Sequence, residues 1–264
     1  MADAPPPFRL PTVDQPQELA VHAFHTMRVA AAEHLAPGDA TAVSDAASAI
    51  QAFAQSTVDA FATLGEVACD EGCTYCCHVS VAASLPEVFL VADRLRDELD
   101  PLARFGARAA LAVDEQFSSE DRFAHGKACA FLGDDDLCTI YAVRPLACRG
   151  WHSLDVAACE RGFRQGDPTS RIPAIPGRMT AAAAITFALC TAAMDAGLDG
   201  RPVRFVAAVR AALDDAEWIT RWLEGERIPN ELIDEDTAEE WSANDYGPLA
   251  MSQDIITRFG PLPG

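Results

Sequence analysis

The sequence predicts an all-α protein with an irregular cysteine-rich insertion and at most short strands, on three observations. Apolar residues recur at helical spacing over most of the chain. Strand signals are scarce, Cys77–Ala83 and Thr139–Tyr141 being the best of them. Eight of the nine cysteines fall in one stretch, Cys69 to Cys159, much of which lacks sustained periodicity.

Residues 1–16 are proline-rich and read as an extended arm. A helix follows over 17–35, carried by Leu19, Ala23, Met27, Ala30 and Ala31, and Pro37-Gly38 ends it. The next spans 39–64, with Val43, Ala46, Ala47, Ile50, Phe53, Ala54, Val58 and Phe61 on one face. Ser84-Leu-Pro-Glu opens a helix to about Leu99, with Ser84 as N-cap, Pro86 in the first turn and Glu87 at the third position. Asp100 caps another that runs to Phe117. The stretch 126–166, rich in Cys, Gly, Asp and Arg, reads as loops and short elements around a site. Prolines 168, 173 and 176 form a linker, and helices are expected at 178–196 and 202–223. The organisation is thus an arm at 1–16, one helical domain at 17–224 holding a cysteine module at about 66–163, and an acidic tail at 225–264. That tail is expected to pack as short helices around 237–244 and 252–258, or to be partly mobile.

Half the residues are hydrophobic, which suits a globular chain. A formal net charge of −20 argues against nucleic acid and against an anionic membrane surface as partners. The longest apolar run, Met179 to Met194, is interrupted by threonines and is short for a bilayer span, so it reads as a core helix. The opening Met-Ala-Asp-Ala-Pro-Pro-Pro shows no basic, then apolar, leader pattern, which points to the cytoplasm. Thiols stay reduced there, so nine cysteines call for an explanation other than disulfides.

The cysteines form two groups in sequence. The first is Cys69-x3-Cys73-x2-Cys76-Cys77; the second is Cys129, Cys138, Cys148 and Cys159 at intervening lengths of eight, nine and ten residues. An x2 spacing lets two thiolates grip one ion, and thiolates suit zinc and iron far better than calcium or magnesium. Packing as a small apolar residue suits Cys190, inside an alanine-rich helix, and does not suit Cys69 to Cys77, which sit beside Asp70, Glu71 and Gly72. A disulfide framework suits an oxidising compartment, and a reactive-thiol enzyme needs one activated cysteine rather than eight.

The run Cys69-x3-Cys73-x2-Cys76-Cys77, then Cys129-Ala-Phe-Leu, then Cys138-Thr-Ile-Tyr-Ala-Val-Arg-Pro-Leu-Ala-Cys148-Arg149 resembles the YkgJ-type cysteine cluster family over about residues 66–163. The resemblance implies chelation of zinc or iron, with Cys159 matching part of the family. Similar proteins, the flagellin lysine methylases, pair this type of motif with an iron–sulfur cluster and methyl transfer. The metal ligands expected are therefore Cys69, Cys73, Cys76, Cys77, Cys129, Cys138, Cys148 and Cys159. Eight thiolates exceed one tetrahedral ion and allow two mononuclear sites, a four-iron cluster plus a structural ion, or a compact polynuclear centre. The x3-x2 spacing and the resemblance tilt the expectation from zinc toward iron.

Such a site is negative, and Arg144 and Arg149 are expected to offset it without ligating. His78, His125 and His152 are further ligand candidates, each more simply explained by an ordinary structural role. Glu87 is read as a helix cap ahead of an oxygen ligand, Tyr141 as a packing residue, Asp134-Asp135-Asp136 as a solvated turn, and His22 and His25 as surface residues. Four functions compete. They are a metal or cluster carrier, sensor or accessory factor; an enzyme with an open metal position; a radical enzyme using S-adenosylmethionine, disfavoured because a barrel's alternating strands are missing; and a structural zinc protein. No phosphate loop, nucleophile elbow or His-Glu-x-x-His run favours any other chemistry.

Overall fold

The computed structural model describes residues 16–35, 39–61, 66–166, 171–175, 178–235 and 237. Among them ten α-helices and one two-stranded sheet are present, so the all-helical reading holds. The frame is a set of long helices: α1 (Pro16–Leu35), α2 (Ala40–Phe61), α3 (Leu85–Glu98), α4 (Pro101–Asp114), α8 (Arg178–Asp195) and α9 (Phe205–Asp214). Helix α8 is apolar nearly all round, and its alanines let α1 and α2 approach closely. Phe24, Met27 and Ala31 of α1, Val43 and Ile50 of α2, Val88 and Phe89 of α3, and Ile185 and Leu189 of α8 build one core. Arg28 pairs with Asp195 at 2.6 Å and pins α1 to the end of α8.

The capping signals act where the sequence places them. Asp100 accepts from the backbone of Leu102 and Ala103 and starts α4. Ser84 donates from its backbone and hydroxyl to Glu87 at the start of α3. The helix expected through Phe117 instead stops at Asp114, because Ser118 and Asp121 form a second capping box and restart the chain as α5 (Ser119–His125). The single helix expected over 202–223 divides into β2 (Val203–Arg204), α9 and α10 (Trp218–Leu223), with an extended break at Asp215, whose carboxylate accepts from Glu217 and Arg221. Strand β1 (Ala82–Ala83) pairs with β2 and is the only part of the 77–83 segment that is extended sheet. Thr139–Tyr141 is not a strand. Thr139 donates to the Phe131 carbonyl to close a turn, and Tyr141 enters a 3₁₀ turn at Tyr141–Val143.

The aperiodic stretch 126–166 contains α6 (Leu146–Gly150) and α7 (Val156–Gln165), the latter capped by Asp155 and ended by Gly166 at φ 63°. Too short for a periodic signal, both gain stability from tertiary contacts. Helix α6 lies against α8 so closely that a Cβ on Gly150 would stand 2.7 Å from Ala182 Cβ. The packed fold continues past Gly225: Ile228, Leu232 and Ile233 are buried, and the Asp234 amide donates to the Pro202 carbonyl. The arm at 1–15, the tail helices expected around 237–244 and 252–258, and the side chains of His22 and His25 lie outside the described residues. No described helix is long and apolar enough to cross a membrane.

Candidate metal centre

The first cysteine group is built by two successive turns. Gly72, at φ 85°, lets the chain reverse after Asp70, whose carbonyl accepts the Cys73 amide. A 3₁₀ turn at Tyr75–His78 then presents Cys76 and Cys77 side by side, with the Cys77 amide on the Thr74 carbonyl. The second group reaches the first through the backbone. The Cys129 amide donates to the Cys77 carbonyl at 2.8 Å, and a bridge between Leu132 and Cys138 folds the 129–138 loop back on itself. Cys148 arrives on α6, which is anchored on α8. Cys159 arrives on α7, whose Phe163 packs on Tyr75 and on His78, the latter at 4.5 Å between ring centroids.

All eight expected cysteines thus lie in one region, and none is in a disulfide. Five of them, Cys76, Cys77, Cys129, Cys138 and Cys148, line a half-open cavity of about 1040 Å³. Cys69 and Cys73 lie instead within electrostatic reach of Cys76 and Cys159. Among the described residues, no three cysteine, histidine, aspartate or glutamate side chains converge tightly enough to hold a metal ion as they stand. The donor set itself fits a soft metal, being all sulfur and furnished with backbone N–H groups. The Ser153 amide donates to Cys69 Sγ at 3.3 Å. The amides of Tyr75, Phe131 and Ile140 act to lower the thiols of Cys73, Cys129 and Cys138 respectively. N–H donors aimed at sulfur stabilise the thiolate form that a metal requires.

Burial pushes the thiols of Cys69, Cys73, Cys129, Cys138 and Cys148 up. Cys76 is the exception: a hydrogen bond from Cys77, aided by Arg144, holds it down at about 7, and the same hydrogen bond drives Cys77 up.

The two arginines have different places. Arg144 lines the cavity, stacks on the Tyr141 ring with its guanidinium carbon 4.0 Å from the ring centroid, and lowers the thiols of Cys76, Cys138 and Cys148. Tyr141 is 61 % exposed, so it is a platform for Arg144 rather than a core packing residue. Arg149 is buried and satisfied elsewhere: it donates to the carbonyls of Ala142 and Arg144 and to the side chains of Gln51 and Gln55, tying α6 to α2. It feels Cys148 only through its charge.

The other candidates serve the scaffold. Glu87 is fully buried and accepts from Ser84 and from the Leu146 amide at 2.7 Å, joining α3 to the start of α6. His152 uses both ring nitrogens, Nδ1 with the Gly150 carbonyl and Nε2 as acceptor from the Ile175 amide at 2.7 Å. His78 Nδ1 meets the Thr74 carbonyl, and His125 Nδ1 that of Asp121 on the surface. Asp134 to Asp136 form an exposed turn, with Asp136 at φ 62°. Cys190 is buried in α8 as a core residue.

Sequence reasoning misses Arg122 of α5. It is 3 % exposed, pairs with buried Asp114 of α4, lines the cavity and lowers the Cys129 thiol. Asp114 in turn accepts the Ala130 amide, so the pair fixes the loop that begins with Cys129. No motif links residues eight apart on separate helices, and only the fold reveals them.

No curated protein and no solved structure matches the chain. The family model described as "CxxCxxCC: Putative zinc- or iron-chelating domain" matches residues 68–161. That stretch begins one residue before Cys69 and ends two after Cys159. Residues 68–161 are therefore similar to a zinc- or iron-chelating cysteine domain, which supports metal binding by this stretch.

Proposed function

We propose that the protein is a cytoplasmic, thiolate-ligated metal protein whose centre faces a cavity. Its ligands are drawn from Cys69, Cys73, Cys76, Cys77, Cys129, Cys138, Cys148 and Cys159. The observation that carries the reading is that five of these cysteines line one cavity together with Arg122 and Arg144. Thiolates concentrate negative charge, and guanidinium groups beside them offset it without competing for the metal. Of the two metals in the family description, the Cys69-x3-Cys73-x2-Cys76 spacing favours iron, and four of the eight thiolates suffice to hold an iron–sulfur cluster.

A second reading, a metalloenzyme with an open coordination position, is favoured by the size and openness of the same cavity, since a site that merely staples loops is closed off by its own ligands. The protein is tested by anaerobic purification with iron, zinc and acid-labile sulfide counted per chain, followed by cyanide addition. Iron with sulfide is expected, with a spectral change on cyanide if one position is open. Zinc alone would sink the iron assignment. Folded protein that neither carries metal nor takes it up on reconstitution would sink the function.

A further inference from the structure

Eight sulfurs are twice the number one tetrahedral ion takes, and the fold does not distribute them evenly. Cys69 is fixed by the 153 segment, through the Ala68 amide on the Ser153 carbonyl and the Ser153 amide on Cys69 Sγ. That segment leads directly into α7 and Cys159, and α7 packs on the turn carrying Cys76. Cys73 sits between them, within reach of Cys69, Cys76 and Cys159. On the other side, Cys77, Cys129, Cys138 and Cys148 line the cavity, which Cys69, Cys73 and Cys159 do not, and Cys76 lines it too, at the junction of the two sets. The Cys129 amide on the Cys77 carbonyl and the Leu132–Cys138 bridge bind that second set together. Successive residues of a 3₁₀ turn leave it about 120° apart, so Cys76 and Cys77 leave the same turn in different directions and can serve different partners, while their adjacency in the chain keeps the two sets in contact.

We propose that the cysteines form two metal subsites, Cys69, Cys73, Cys76 and Cys159 on one side and Cys77, Cys129, Cys138 and Cys148 on the other, adjoining at the Cys76–Cys77 step. The proposal rests on the metal-binding reading above and deepens it. Each subsite has the four thiolates that complete a tetrahedral soft-metal site or a cubane cluster. The partition differs from the order along the chain, which would pair the first four cysteines with each other. Instead one cysteine of the opening motif, Cys77, is given to the distal set, and one distal cysteine, Cys159, to the opening set. The two subsites also differ in surroundings. Arg122 and Arg144 stand beside the cavity subsite, whereas Arg178 is the cation within reach of Cys69.

The test is cobalt(II) titration of the reduced, metal-free full-length protein, followed through its thiolate-to-metal absorption. The wild type is expected to bind two equivalents. The double variant Cys73→Ser/Cys159→Ser is expected to bind one, Cys138→Ser/Cys148→Ser one, and Cys190→Ser, altered in the α8 core, two. Far-ultraviolet circular dichroism on each variant, with Cys190→Ser as the reference for a tolerated core change, separates lost sites from lost folding. A variant that unfolds is replaced by the corresponding single substitution, scored by the same stoichiometry. A single equivalent in the wild type, or loss of both equivalents in either folded double variant, overturns the partition and leaves metal binding intact. No cobalt bound by folded wild type overturns the metal-binding reading itself.

Discussion

The helical frame and the cysteine module are held together by different forces. In α1, α2, α3, α8 and α9 the buried side chains are apolar and mutually packed, and each helix satisfies its own backbone. In the cysteine module, at 66–83 and 126–166, the chain makes short turns whose amides reach across to distant segments: Cys129 to Cys77 and Ala68 to Ser153. Fully apolar anchors there are few, chiefly Phe131, Ile140 and Leu146. The remaining fixings are buried polar hubs at Glu87, Arg149 and the Arg122–Asp114 pair. A frame of this kind tolerates change wherever volume is kept, whereas a module of this kind depends on each partner being present. The protein places its chemistry in the second and its stability in the first.

The sharpest way to break the frame is Trp222→Ala. Trp222 is fully buried, packs at 5.7 Å from the Phe89 ring, and donates Nε1–H to the Asp199 carbonyl at 2.9 Å. Truncation should cost about 3–5 kcal/mol, read as a lower midpoint in urea unfolding. Metal stoichiometry of the fraction that remains folded should not change, because its ring partner Phe89 and its hydrogen-bond partner Asp199 lie outside the cysteine turns. A parallel loss of metal from folded protein would show that frame and module are one unit.

The same contrast governs how far the sequence discloses the molecule. Helices whose apolar face is long enough to repeat, such as α1, α3 and α8, are legible to within a residue or two, because their burial follows the 3.6-residue period. Capping residues Ser84 and Asp100 are legible because their hydrogen bonds are local. The break after Asp114, the split at Asp215 and the short helices α6 and α7 are not, since tertiary contacts decide them. In the site, spacing identifies the cysteines but not how they are shared out, which depends on where α6 and α7 dock. Arg149 and Arg144 are adjacent to cysteines in sequence alike. Only packing shows that Arg149 serves carbonyls and glutamines while Arg144 faces the sulfurs.

That difference between the arginines sharpens the comparison at lower energy. Arg144→Gln removes the charge beside Cys76, Cys138 and Cys148 while leaving the core untouched. Metal affinity should fall about 10-fold or more, measured by competition with a chelating dye, while the thermal midpoint of the metal-free protein stays unchanged. Arg149→Gln should do the reverse, lowering that midpoint by stranding Gln51 and Gln55. Equal effects of both substitutions on affinity would erase the distinction drawn from their contacts.

The smallest expected effect lies where frame and module meet, at Glu87. Burial pushes its carboxyl above the ordinary carboxylate range, against the hydrogen bonds from Leu146 and Ser84 and the charge of Arg149, which act the other way. With its folded-state value raised, folding favours the protonated form. The stabilisation is therefore complete below the ordinary carboxylate range and is lost as pH rises through the raised value. Glutamine at this position cannot ionise, but it has one acceptor oxygen where the carboxyl offers two, and both are used, by Leu146 on one side and Ser84 on the other. Glu87→Gln should thus be less stable than wild type at pH 4.5, and the gap should narrow toward pH 8, by about 1 kcal/mol for each unit by which the carboxyl is raised. Urea unfolding of both metal-free proteins at the two values measures it. A gap that widens with pH would mean that Arg149 and the three hydrogen bonds outweigh burial, making the ionised carboxylate the form that locks α6, and with it Cys148, onto the frame.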